Sequence, residues 1–407
     1  PDIHKIRRQV TQSFSKAPRF SAMNQNLDVE VLRAIAILGT MASHLDILFF
    51  WGSSRIDAFQ RTFFFWGGVD LFFCISGYVI TGNLLRTLPS GRQCGFGAFA
   101  IPFWIRRAWR ILPSAWLWLA IPLILSVVAN RTGYLGTPTG NMIDSLSAVA
   151  QVANFHFWSC YAFPAKTCGI DQVYWSLSLE EQCYILLPVL LYSASRRTIM
   201  PILCVVVLIQ VFLPRPILSF LWFVRTDALA LGALLALLQH REWYAKVEPR
   251  TLARGLLSAI ALAGMCLILA ALPGRLASIP FHTGLIALVS CIMVWIASYG
   301  KSYTMPDGAV KRVLVYFGSR SYAIYLIHVP VYRLTREIWE RVATTPSAID
   351  GSFTLRFAFT AIPIVLLLAE LNYRFVETPL RLHGTRVAER WSRSRNVESR
   401  GSVTSAQ

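Results

Sequence analysis

Arg33 and His44 stand at the two ends of the apolar run Leu32-Arg33-Ala34-Ile35-Ala36-Ile37-Leu38-Gly39-Thr40-Met41-Ala42-Ser43-His44. At about 100° and 1.5 Å per residue, that spacing makes almost three helical turns, so both side chains share one face, roughly 16 Å apart. Inside a bilayer each would need a polar partner, a ligand or a water-filled cavity on that face. An imidazole with an ordinary pKa of about 6.5 suits general-base work near neutral pH. The plainer readings are an arginine snorkelling to headgroups and a buried histidine bonded to a carbonyl. The shared face tips the balance toward function.

Other charged groups fall at comparable depth. Asp70 opens the apolar segment Gly67-Gly68-Val69-Asp70-Leu71-Phe72-Phe73-Cys74-Ile75-Ser76-Gly77-Tyr78, where it could complement a helix dipole or support a catalytic ring. Arg106, Arg107 and Arg110 sit on one helical turn of Trp104-Ile105-Arg106-Arg107-Ala108-Trp109-Arg110-Ile111-Leu112-Pro113. Three guanidiniums so close repel one another unless anions occupy the site. Lipid phosphates would satisfy them, and so would a soluble phosphorylated ligand gripped by arginine forks. Glu180 and Glu181 are adjacent, so at most one points inward. Arg225 and Asp227 are two apart, roughly 200° around a helix, so each seeks a partner elsewhere. His328 is a second histidine in an apolar run, read by default as a structural hydrogen bond.

The elements that would position these groups are apolar helices. The chain is 55% hydrophobic and 15% charged, where a soluble domain averages about 25% charged. Hydropathy places spans near 29–50, 66–85, 111–129, 177–194, 199–213, 217–238, 255–272, 282–299, 313–332 and 353–373. The short run 142–158 reads as an interfacial or re-entrant piece. The expected fold is an all-α polytopic membrane protein of about ten transmembrane helices. Two thirds of its 39 Lys and Arg residues fall in one alternate set of loops and tails, which puts the N-terminus and C-terminus in the cytoplasm. That alternation, rather than nucleic-acid binding, accounts for the net charge of +18. No signal peptide is expected.

Eight cysteines include no CxxC pair, so no metal or redox motif is expected. Cys160 and Cys168 share one loop on the outer side, where a disulfide and two free thiols are both compatible with the spacing.

Several segments together resemble the acyltransferase-3 family of integral membrane O-acyltransferases. They are Leu32-Arg33-Ala34 with His44, Gly68 to Tyr78, Arg107 to Pro113, Trp175-Ser176-Leu177-Ser178-Leu179-Glu180-Glu181-Gln182, Arg225-Thr226-Asp227-Ala228-Leu229, Ser321-Tyr322-Ala323-Ile324-Tyr325-Leu326-Ile327-His328 and Tyr373 to Glu377. Cys74 and Cys183 depart mildly from it, standing where larger apolar residues are usual. The resemblance implies a bacterial inner-membrane enzyme that moves an acyl group, most often acetyl, from cytoplasmic acyl-CoA to a hydroxyl of a carbohydrate or glycolipid. It implies no permanently bound cofactor, with acetyl-CoA serving as donor substrate. It marks Arg33 and His44 as required and Arg107 and Arg110 as meeting the donor's phosphates; Ser76, Arg225, Asp227, Tyr325 and His328 are further site candidates. With Arg106 joined to the phosphate site, the expected chemistry uses His44 as general base and Asp70 or Glu180 to orient its ring.

The expected organisation is a basic tail over 1–26, a bundle over 27–381, and a basic disordered tail over 382–407 with no extracytoplasmic domain after it. A transporter of an anionic or sugar-linked solute and a non-enzymatic membrane scaffold are the competing readings.

Overall fold

The computed structural model describes residues 26–49, 58–59, 61–88, 95–163, 165–343 and 351–404, and among them there is no strand. Nearly all of the expected tail 1–26 therefore lies outside the described residues. The helices are α1 (Leu27–Ser43), α2 (Gly68–Thr87), α3 (Phe96–Val128), α4 (Pro138–Val149), α5 (Ala153–Ala162), α6 (Tyr174–Ser193) and α7 (Arg196–Phe212). There follow α8 (Asp227–Leu238), α9 (Gly255–Ala271), α10 (His282–Ala297), α11 (Ala309–Ser319), α12 (Ser321–Val342), α13 (Thr354–Asn372) and α14 (Thr378–Thr404). By length and composition, the stretches Gly68–Thr87, Phe96–Val128, Phe220–Leu238 and Gly351–Ser394 are each able to cross a bilayer. The apolar helices Arg197–Phe212, Gly255–Ala271 and His282–Ala297 are shorter.

Local chemistry sets the helix ends. Asn26 caps α1 by accepting from the backbone N–H groups of Asp28 and Val29, and Asp28 and Glu30 place negative charge on its first turn. Asp28 also accepts from Thr304 Oγ1 at 2.8 Å and from the Tyr303 N–H at 3.1 Å, which fastens the start of α1 to the loop before α11. Three apolar runs that hydropathy reads as single spans are broken. One breaks at His44, where the short helix Leu45–Leu48 follows α1. Another breaks between Phe220–Phe223 and α8, and the third at Arg320, between α11 and α12. Hydropathy averages over such breaks, yet each lies at or beside a charged or ionisable residue.

The centre of the bundle is the crossing of α2 with α8. A Cβ on Gly77 would come 2.1 Å from the Leu229 carbonyl oxygen, and one on Gly232 would come 2.0 Å from that of Cys74. Only glycine lets the two backbones approach this closely. The approach fixes the depth of Asp70 on α2 relative to Arg225, just ahead of α8.

The tail expected to be disordered is helical as far as Thr404. After a π-helical turn at Tyr373–Glu377, α14 packs along α3, with the His383 and Trp109 rings 4.6 Å apart and Ala388 wholly buried. A Cβ on Gly384 would meet the Trp109 side chain at 2.3 Å, so this docking depends on a glycine that composition alone does not single out. Arg33 and Arg381 both stand close to Arg110, so the start of α1 and the start of α14 lie at one end of the bundle, here the near end.

Candidate active site

Two cavities penetrate the bundle from opposite ends. The near cavity, about 100 Å³, is lined by Arg33, Arg107, Arg110, Ser76, Glu180 and Tyr184 among others. α3 supplies two of the guanidiniums and α1 the third. Arg33 Nη1 donates to Glu30 Oε1 at 2.5 Å, so its charge is met on its own helix. Among the described residues neither Arg107 nor Arg110 has an ion-pair partner; Arg107 instead lies over the Phe103 and Tyr184 rings, 5.7 and 5.4 Å from their centroids. Tyr184 Oη donates to Ser76 Oγ at 3.4 Å, and Glu180 lies beside both in the lining, which places one carboxylate among the three cations. Arg106 does not line this cavity, because it points off the same helical turn in another direction.

The far cavity, about 230 Å³, holds His44 together with Ser43 and Asp46. Aromatic rings make most of its remaining wall: Trp66, Phe157, Tyr161, Trp175, Trp222 and Phe223. Val69 and Tyr325 belong to both linings, so the two spaces abut across these side chains. Tyr325 is held in place by its hydroxyl, 2.5 Å from Ser176 Oγ and 2.7 Å from the Val173 carbonyl oxygen.

The hydrogen bonds of His44 determine which nitrogen is free. Its Nδ1 is 2.9 Å from the Thr40 carbonyl oxygen and 3.1 Å from His328 Nε2. His328 Nδ1 in turn lies 3.1 Å from the Ile324 carbonyl oxygen. A carbonyl can only accept, so each neutral ring carries its proton on Nδ1. His328 Nε2 then offers a lone pair to the His44 Nδ1–H, and His44 Nε2 keeps its own lone pair, bonded to no described residue. That is the state a general base requires.

Asp70 does not orient this ring. Both its oxygens accept from Arg225, Oδ1 from Nε at 2.8 Å and Oδ2 from Nη2 at 3.0 Å, while Arg225 Nη1 donates to the Trp222 carbonyl oxygen at 2.7 Å. A wholly buried guanidinium needs a carboxylate within reach, and Asp70 is consumed by that need. Nor does Glu180 reach His44; it lies in the other cavity. Asp46, two residues after His44, is the carboxylate that shares its cavity, and His328 is the group that touches its ring. The sequence offers no cue to this contact, which joins residues 284 apart. Asp227 pairs with Arg215, at 2.5 and 2.9 Å, in the loop between α7 and the Phe220–Phe223 turn. Cys160 and Cys168 are joined by a disulfide. His156 Nε2 and the two sulfurs lie within 4.8 Å of one another, but that nitrogen donates to Asp144 Oδ1 at 2.8 Å.

Residues 26–369 match the family profile described as an acyltransferase domain. The chain belongs to the acyltransferase-3 family. Family membership agrees with the resemblance carried by the Arg33, His44 and Arg107 segments. Among curated proteins the chain is 27% identical over 381 residues to the "Peptidoglycan O-acetyltransferase OatA" of Listeria monocytogenes, a match covering 88% of this chain and 56% of that protein. It is 29% identical over 406 residues to the "Putative O-acetyltransferase SAS0844" of Staphylococcus aureus (92% and 60%). It is 27% identical over 380 residues to the "Putative peptidoglycan O-acetyltransferase YrhL" of Bacillus subtilis (87% and 55%). The chain thus spans a little over half the length of these curated relatives. No solved structure matches it significantly.

Proposed function

We propose that this acyltransferase-3 chain is a membrane O-acetyltransferase that takes acetyl from acetyl-CoA at its near end and delivers it to a carbohydrate hydroxyl at its far end. The observation that carries the reading is the placement of the Arg107 and Arg110 guanidiniums, without an ion-pair partner among the described residues, in one cavity and the free Nε2 of His44 in the next, the two sharing Val69 and Tyr325 in their linings. Neighbouring arginines grip phosphate oxygens strongly, and among the described residues no carboxylate forms an ion pair with these two. The relatives named as peptidoglycan O-acetyltransferases support a glycan acceptor. In this reading the near end faces the cytoplasm, as the distribution of Lys and Arg favours, and ten crossings keep both termini there.

The donor's diphosphate would rest on Arg107 and Arg110, with its thin pantetheine arm directed past Arg33 toward Tyr325. His44 Nε2 removes the proton of the acceptor hydroxyl as that oxygen attacks the thioester carbonyl. The C–S bond breaks as the tetrahedral intermediate collapses, and the imidazolium returns the proton to the departing thiolate. The products are an O-acetyl ester and free thiol, with no redox partner required. His328 holds the imidazole in the required tautomer throughout, a role comparable to that of the third member of a catalytic triad.

The test uses purified full-length protein with radiolabelled acetyl-CoA and a glycan acceptor, comparing the parent with His44→Ala. Label in the glycan that depends on His44 supports the reading. Label transferred at full rate by His44→Ala removes His44 as the base, and solute uptake without any covalent product would point to transport instead.

A further inference from the structure

We infer that the far cavity seats one uncharged pyranose ring of the acceptor, fixed by Tyr161, Gln172 and the indole N–H of Trp222. This rests on the acetyl-transfer reading above and assigns residues to the half of it that has none. The cavity beside His44 combines aromatic surface with scattered polar ends, and among the described residues no Lys or Arg lines it. A pyranose has the matching character, since its C–H faces are apolar and its rim carries hydroxyls. The nearest cation, Arg333, already faces Asp46, so a ring bearing a carboxylate or phosphate would lose hydration there and meet the Asp46 carboxylate. The near cavity, with its three arginines, is the opposite case.

Trp222 gives the sharper sign. It is only 6% exposed, and its Nε1–H is buried with no acceptor among the described residues. Buried indole N–H groups almost always find a partner. The ring cannot swing away to find one. The Arg225 guanidinium sits 4.2 Å from its centroid, itself locked on Asp70, and the Trp175 ring packs 4.6 Å from the other tryptophan. Trp222 lines the cavity that also holds the free imidazole nitrogen, so a small shift of the ring on ligand entry would give this unpartnered donor a ligand oxygen.

The opposite wall is equally fixed. The Tyr161 hydroxyl donates to Gln172 Oε1 at 3.0 Å, leaving the Gln172 amide N–H groups and the tyrosine lone pairs for a ligand. The Cys160–Cys168 disulfide ties the segment bearing Tyr161 to the one bearing Gln172. Asp144 pins the return of that loop by accepting from the Gly169 N–H at 3.0 Å and the Asp171 N–H at 3.2 Å. On the rim, Leu218 lines the cavity with φ +65°, a left-handed conformation that a leucine keeps only where its surroundings enforce it.

The test is calorimetric titration of the full chain in lipid nanodiscs with two probes of equal length: an uncharged N-acetylglucosamine tetramer and an anionic tetragalacturonate. The uncharged probe is expected to bind at least tenfold more tightly. Trp222→Phe, which keeps a ring but deletes the N–H, and Gln172→Ala should each weaken it about fivefold, while acetyl-CoA affinity holds. Equal or tighter binding of the anionic probe, failure of both probes to bind, or both variants staying within twofold of the parent would overturn the seat. If the tetramer binds with these losses but never receives acetyl, the seat stands and the acetyl-transfer reading falls. If acetyl is transferred and the variants change nothing, the seat alone falls.

Discussion

The near cavity gathers three guanidiniums and one carboxylate around about 100 Å³, whereas the far cavity, more than twice as large, is walled chiefly by rings and carries His44 and Asp46. Both are built from the same central helices and share Val69 and Tyr325. The same kind of residue is used differently in each. In the near cavity Arg107 and Arg110 keep unpaired charge pointing at open space; at the far cavity Arg225 is wholly buried, doubly bonded to Asp70 and enclosed by aromatic rings. A buried arginine with every bond satisfied braces helices, while an arginine without a partner can bind. Partner geometry, rather than residue type, separates the two roles.

The largest expected effect lies on the far side. His44→Ala should slow transfer by about 10²–10⁴-fold, the usual worth of a positioned base, without loosening acetyl-CoA, as steady-state rates and donor titration would show. A matching loss of donor affinity would erase the division between the cavities. On the near side, Arg107→Ala with Arg110→Ala should weaken acetyl-CoA by about tenfold or more, because each charge-assisted bond is worth about 1.5–3 kcal/mol. Raising salt should weaken the parent in the same direction. Unchanged donor affinity would assign these arginines to lipid phosphates.

His328→Ala should cost about tenfold in turnover by freeing the His44 ring. His328→Asn, whose amide oxygen can still accept from Nδ1–H, should recover part of that. A structural role alone predicts lost thermal stability in both variants and an unchanged pH–rate profile. Tyr325→Phe removes the bonds to Ser176 and the Val173 carbonyl that hold the partition. Net hydrogen-bond energies of about 0.5–1.5 kcal/mol predict a two- to tenfold rise in acetyl-CoA hydrolysis uncoupled from acceptor, readable as free thiol.

The smallest effect concerns a loop that lines neither cavity. Hydrogen bonds from Lys301 and Tyr303 hold the Glu248 carboxyl down to about 2, from an ordinary 4.5. A depressed carboxyl stabilises the fold above its unfolded value and ceases to do so as pH falls through the folded one. The difference in melting temperature between the parent and Glu248→Gln should therefore be full at pH 7 and shrink between about 4.5 and 2.

Much of the helix placement was legible from hydropathy, and the shared near-end location of Arg33, Arg107 and Arg110 followed from their positions relative to apolar runs. The separation of Arg225 from Asp227 was also legible, because residues two apart cannot meet on a helix. What hydropathy could not supply was pairing across the bundle. Asp70 with Arg225 and His44 with His328 join residues 155 and 284 apart, and nothing in composition marks one long-range partner over another. Nor does the sequence single out Asp46, which follows His44 by two and shares its cavity. Periodicity also missed α14, whose docking rests on Gly384 and Ala388, small residues that read as linker.

Sidedness is the claim from which the rest follows. In vesicles holding the full chain in one orientation, acetyl-CoA and a glycan acceptor can be supplied on the same face or on opposite faces. The account predicts acetylated glycan only with donor at the near end and acceptor at the far end. Equal product with both reagents on one face would contradict it.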